Sequence, residues 1–142
     1  MDNTMALLLS DTYKQCHDRM YPNGLTKLVS YWVPRKSMLE NQNEMVFFGL
    51  QAFIKEYLMG DFQKNFFDLS EDEMLTLYTD SMDVQIGRDN YDLDKIVELH
   101  RLGYLPLEIR ALPEGTLVPM GVPCIEITNT DDKFAWLVQW IE

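Results

Sequence analysis

The chain has 142 residues, 46% apolar and 25% charged, a globular composition of one domain's length that excludes a disordered or low-complexity protein. Its 12 basic and 23 acidic residues leave a formal charge of −11 with no Lys/Arg cluster, which argues against nucleic acid or an anionic membrane surface as partner. No apolar run approaches a membrane span, and Cys16 and Cys124 form neither a metal spacing nor a disulfide framework, so a soluble, cytoplasmic protein with reduced thiols is expected.

Met1-Asp2-Asn3-Thr4 carries an acid where a secretory signal needs a basic region. Ala6 to Leu9 is a short apolar run, and Ser10 or Asp11 can cap a helix through about Arg19. Tyr21-Pro22-Asn23-Gly24 is turn chemistry. Leu28 to Val33 reads as a strand stopped by Pro34, and Ser37 to Glu44 as a polar loop. From Val46 to Leu58 the apolar residues Phe47, Leu50, Ile54, Tyr57 and Leu58 take helical spacing, with Gly60 as the stop. Gly49 inside that pattern calls for a packing reason.

Ser70-Glu71-Asp72-Glu73 is a capping box, and the helix behind it should bury Met74, Leu77, Tyr78 and Met82 and end near Gly87. Asp92 caps the next helix, which runs to Gly103. Leu105 to Leu112 switches to period two, and Pro113-Glu114-Gly115 turns the chain. Thr116 to Thr128 holds one or two strands divided around Pro119-Met120-Gly121. Asn129-Thr130-Asp131-Asp132 resembles a helix start, and Lys133 to Glu142 a helix carrying Phe134, Trp136, Leu137, Trp140 and Ile141. That apolar pattern has no Gly, Pro or polar run-out, which implies a chain that continues and a Trp136/Trp140 end that exposes apolar surface.

Residue types alone give a restrained view of the chemistry. Asp11 reads as a cap and Tyr13 as a half-buried aromatic; His17 and His100 read as satisfied or solvated histidines without a third metal ligand. Arg35, at a strand end, is able to grip a phosphate bidentately but also suits a surface charge. The acidic run Asp89 to Asp94 fits caps and solvated faces. No phosphate-binding glycine loop and no nucleophile signature occurs, so the residues alone imply a soluble α+β domain that looks truncated.

Five stretches, in order, resemble the N-terminal part of nicotinamide phosphoribosyltransferases. They are Leu8-Leu9-Ser10-Asp11-Thr12-Tyr13-Lys14-Gln15-Cys16-His17 with Tyr21-Pro22; Ser30-Tyr31-Trp32 leading to Arg35; and Val46-Phe47-Phe48-Gly49-Leu50-Gln51 with Tyr57-Leu58. Then come Leu105 to Gly115, and Asn129-Thr130-Asp131 with Trp136-Leu137 and Trp140-Ile141-Glu142. Leu112-Pro113-Glu114-Gly115 also resembles nicotinate phosphoribosyltransferases; Tyr13-Lys14 with His17 and the closing pattern favour the amide-using branch. Thr12 stands where the family usually has Ser, and Phe62 to Asp89 departs from it.

The resemblance implies an α+β fold with a mainly antiparallel sheet and flanking helices, residues 1–142 forming one N-terminal domain ahead of a catalytic α/β-barrel. It implies transfer of phosphoribosyl from phosphoribosyl pyrophosphate to nicotinamide in NAD salvage, giving nicotinamide mononucleotide and pyrophosphate. Mg²⁺, held mainly by the barrel and substrate, and in some relatives ATP, accompany that reaction. It further implies a homodimer with sites shared across the interface: Tyr13 stacks on the pyridine ring of the partner's pocket, Asp11 shapes that pocket, and Arg35 lies near the phosphate end. No catalytic residue is expected within the chain, and the 142 residues alone should be inactive. The competing readings are a nicotinate-using relative and a stand-alone dimerising or regulatory module.

Overall fold

The computed structural model describes residues 4–88 and 90–142. The acid at residue 2 and Asp89 of the acidic run lie outside them. The chain divides into two compact units, one built from residues 1–21 and 52–105, the other from 22–51 and 106–142.

The first unit is helical. A 3₁₀ turn over Ala6–Leu8 buries Met5, Ala6 and Leu7 completely or nearly so. The helix expected from Asp11 is instead a 3₁₀ segment, Lys14–Met20, preceded by tight turns in which Lys14 N–H donates to the Asp11 carbonyl at 2.9 Å. Such winding is ordinary for short pieces. Helix α1 begins at Leu50–Phe53 and passes into wide i→i+5 turns over Ile54–Asp61 and Gln63–Phe67.

Gly60 therefore does not stop this helix. It lies within the wide turns, where an added Cβ would meet the Lys55 carbonyl oxygen at 3.1 Å. The missing side chain gives that carbonyl room. Phe62 and Phe66 from this stretch reach the core, with Phe66 edge-on to His100 at 5.5 Å.

Helix α2, Glu71–Gln85, follows the capping box as expected. Ser70 accepts the Glu73 N–H, and the Glu73 carboxylate takes the Ser70 N–H at 3.1 Å. Met74, Tyr78 and Met82 are buried, whereas Leu77 is exposed. Asp92 caps α3, Leu93–Leu102, and Gly103 ends it in a left-handed conformation at φ 78. Arg101 of α3 forks onto Glu71 of α2 with two 2.8 Å bonds.

The second unit carries the strands. Strands β1 (Val29–Trp32), β5 (Ile125–Asn129) and β3 (Leu107–Ala111) form an antiparallel sheet with β5 central. Strands β2 (Glu44–Val46) and β4 (Leu117–Pro119) form a separate antiparallel pair. This is the α+β class with antiparallel pairing throughout the described residues.

Val46 thus pairs with Leu117 instead of opening a helix. Gly49 breaks the segment with φ 100, a conformation that strains any side-chain-bearing residue. That conformation, not close packing, explains the glycine, because a Cβ there would meet nothing within 4 Å.

Asn129 is the last residue of β5 and not a helix start; the cap is Asp131, which accepts the Lys133 N–H at 2.9 Å. A 3₁₀ turn, Asp132–Phe134, leads to α4, Leu137–Ile141. Trp136 and Trp140 are each only 6% exposed and stack edge-on at 5.4 Å. The expectation that this end exposes apolar surface is therefore corrected. Both indoles are buried, and Leu137 and Val138 are fully enclosed.

Candidate functional site

Asp11 and Tyr13 stand together on the turn that follows the buried Met5–Leu7 anchor. The anchor's apolar side chains supply the reason for that placement: they enter the core, and the chain then emerges at Leu9, which is 60% exposed. Asp11 is exposed, and its side chain makes no hydrogen bond or ion pair among the described residues. Its backbone carbonyl, not its carboxylate, holds the turn. A carboxylate left free by the fold is available to a ligand or another chain.

Tyr13 is 60% exposed, although residue type suggested a half-buried aromatic. Its one ring contact among the described residues is with His17, centroid to centroid 5.2 Å and tilted by 59°. Thr12, between the two, donates its hydroxyl to the Gln85 side-chain carbonyl at 3.3 Å. One aromatic face and one carboxylate are thus presented outward from a short, internally bonded turn.

His17 departs from the satisfied or solvated histidine expected of it. Its Nδ1 is buried and has no hydrogen-bond partner among the described residues, and both amide atoms of nearby Gln15 are in the same state. Residue type offered no signal for this. His100 does meet the expectation: its Nε2 lies 3.0 Å from the Leu69 carbonyl oxygen.

Arg35 lies on the other unit, just past β1. The strand's end is held by Cys124 N–H donating to the Trp32 carbonyl at 2.9 Å and Gly121 N–H to the Pro34 carbonyl at 2.7 Å. Pro34 is buried, while Arg35 is exposed and has no carboxylate partner among the described residues. A guanidinium fixed at its root and free at its tip suits an anionic group.

The same sheet carries a polar row that residue type did not reveal. Register sets Glu126 of β5 opposite Tyr31 of β1 and Arg110 of β3. The Arg110 Nη1 lies 3.8 Å from the Glu126 carboxylate, and its Nη2 lies 2.9 Å from Glu108. A hydrogen bond to the Glu126 carboxylate, with that group's charge, holds the Tyr31 phenol above its ordinary pKa of 10.0. Tyr31, Glu108 and Arg110 are exposed and Glu126 half-buried, and cross-strand pairs of this kind support register.

Among the described residues no three His, Cys, Asp or Glu side chains converge as a cation site, and no helix is long and apolar enough to cross a membrane. Both cysteines are free; burial of Cys124 pushes its thiol upward in pKa, toward an inert, protonated form.

Residues 5–109 match the family described as nicotinamide phosphoribosyltransferase, N-terminal domain. A nicotinamide phosphoribosyltransferase of Acinetobacter baylyi is 39% identical over 137 residues, which cover 93% of this chain and 27% of that protein. One of Xanthomonas campestris pv. campestris is 32% identical over 143 residues, covering 100% of this chain and 28% of that protein. The chain therefore spans just over a quarter of the length of these curated relatives. The match takes in the Asp11–Tyr13 turn, Arg35 and the first two helices alike, and on it the chain belongs to the nicotinamide phosphoribosyltransferase N-terminal domain family.

Proposed function

We propose that this chain is the N-terminal part of an enzyme that transfers phosphoribosyl from phosphoribosyl pyrophosphate to nicotinamide. A bond forms between the pyridine nitrogen and the sugar's anomeric carbon as the bond from that carbon to the pyrophosphate oxygen breaks. The electron pair leaves with pyrophosphate, and the ring nitrogen becomes the pyridinium of nicotinamide mononucleotide. The product feeds NAD salvage in the cytoplasm, where free thiols such as Cys16 and Cys124 persist.

The observation that carries this reading is the outward presentation of the Tyr13 ring beside the unpaired Asp11 carboxylate, within a family-matched segment. A flat ring 60% exposed offers the π-face that a pyridine stacks on. In a homodimer the turn enters the partner's pocket, Tyr13 stacking on nicotinamide and Asp11 shaping the pocket's polar edge. Arg35 contributes positive charge toward the phosphate end. The transition state at the sugar has oxocarbenium character, so stabilising the leaving pyrophosphate is the main demand. Mg²⁺ would enter with the pyrophosphate of the substrate, whose oxygens suit it, and ATP would accompany turnover where hydrolysis is coupled to it.

The test offers nicotinamide and nicotinate in turn, with phosphoribosyl pyrophosphate, to the complete protein that contains this chain. Formation of nicotinamide mononucleotide with preference for the amide supports the proposal. Preference for nicotinate would move the protein to the acid-using relatives, and no turnover with either base would favour a regulatory module. The 142 residues alone are expected to give no product.

A further inference from the structure

We propose that His17 is a positioning residue that holds the Tyr13 ring in the orientation it presents outward. This deepens the reading of Tyr13 as a nicotinamide-stacking residue and rests on it for its kinetic consequence alone.

Tyr13 emerges on an exposed turn, so the core does not hold its ring. An aromatic side chain with that much freedom populates several rotamers, and only one presents a given face. The His17 ring lies against it at 5.2 Å and 59°, the range and tilt at which aromatic pairs attract. His17 is itself half-buried, with its Nδ1 edge inside the protein. The backbone between them is closed by Cys16 N–H donating to the Tyr13 carbonyl at 3.3 Å. One face of the Tyr13 ring is thereby braced while the ring as a whole remains largely exposed.

The contact is ring against ring, so it does not require a histidine nitrogen. The buried Nδ1 lacks a partner among the described residues, a cost that a hydrocarbon ring in the same place avoids. His17→Phe should therefore preserve the brace, whereas His17→Ala removes it.

Two measurements separate this inference from the proposed activity. In the complete protein that contains this chain, NMR should show the Tyr13 ring protons moving toward free-tyrosine shifts in His17→Ala and staying displaced in His17→Phe. Unchanged shifts in folded His17→Ala would overturn the brace, whatever the enzyme does. In the complete enzyme, His17→Ala should raise the nicotinamide KM about twofold to tenfold with kcat little altered, and His17→Phe should restore it. If Tyr13→Ala raises that KM but His17→Ala does not, His17 has no positioning role in binding. If His17→Phe is as impaired as His17→Ala, the imidazole acts through its nitrogens and the ring brace is wrong. Tyr13→Ala with an unchanged KM would remove Tyr13 from the pocket while leaving the NMR result standing.

Discussion

The side chain of Asn129 is bonded to the backbone of Leu28, its Oδ1 accepting the Leu28 N–H at 2.9 Å. The amide nitrogen donates to the Thr26 carbonyl at 2.8 Å and the Asp131 carbonyl at 2.9 Å, and the residue is 1% exposed. Lys27 adds a 2.6 Å bond to the Asn129 carbonyl, and the Thr128 hydroxyl donates to the Leu28 carbonyl at 2.9 Å. One buried amide thus ties the entry to β1, the end of β5 and the turn toward α4. That junction also sets where β1 runs, and so where Arg35 emerges.

Asn129→Ala should destabilise the protein by about 1–3 kcal/mol, because it strips partners from backbone groups that are only partly reachable by water. Urea unfolding should show a lower midpoint with an unchanged slope. The exposed neighbour Thr130→Ala should leave the midpoint near that of the parent protein.

The capping box of α2 gives stability a pH dependence of defined sign. Hydrogen bonds from the Ser70 side chain and backbone hold Glu73 below its ordinary value of 4.5, and Arg101 does the same to Glu71. A carboxylate with a lowered folded-state pKa stabilises at pH above the unfolded value and loses that contribution as pH falls through the folded one. Stability should therefore decline from pH 4.5 downward. Ser70→Ala should cost about 1 kcal/mol at neutral pH and flatten part of that decline, read from urea midpoints across the acid range.

Kinetics of the complete enzyme should separate the two proposed substrate contacts. Tyr13→Ala is expected to raise the nicotinamide KM strongly, about tenfold or more, with a smaller effect on the KM for phosphoribosyl pyrophosphate. Arg35→Ala should do the reverse, and Arg35→Lys should recover only part of it, because an ammonium lacks the bidentate fork. Equal effects of both substitutions on both KM values would refute the assignment.

The two thiols should differ in reactivity. Cys16 is partly accessible, whereas Cys124 is 3% exposed, packed with Phe47 and Val118, and pushed upward in pKa by burial. A thiol reagent should label Cys16 in the native protein and reach Cys124 only on unfolding. Native-state labelling of Cys124 at a comparable rate would contradict the packing described.

The features legible in the sequence are those whose partners lie close along the chain. Ser70 and Glu73 bond each other across three residues, Asp92 caps a group two residues on, and Gly103 closes its helix on Leu99 and His100. The end of β1 at Trp32, two residues before Pro34, and the turn before β4 follow from the same local chemistry, and the ordered motifs sufficed to identify the family. Val46 carried the spacing of a helix, yet it pairs with Leu117 because a ladder partner from far along the chain was available. Asn129 stands where the sequence suggests a helix start, yet contacts about 100 residues away make it the end of β5 and a buried clamp. Trp136 and Trp140 looked like an exposed end until packing in the β-unit enclosed them. For the candidate site, residue types alone left Asp11 a cap, Tyr13 a half-buried aromatic and Arg35 a surface charge or a phosphate grip; the family resemblance of the ordered motifs is what singled the three out. Tertiary structure decided that Tyr13 is exposed and braced by His17, because burial depends on which distant side chains arrive and leave no trace in local spacing.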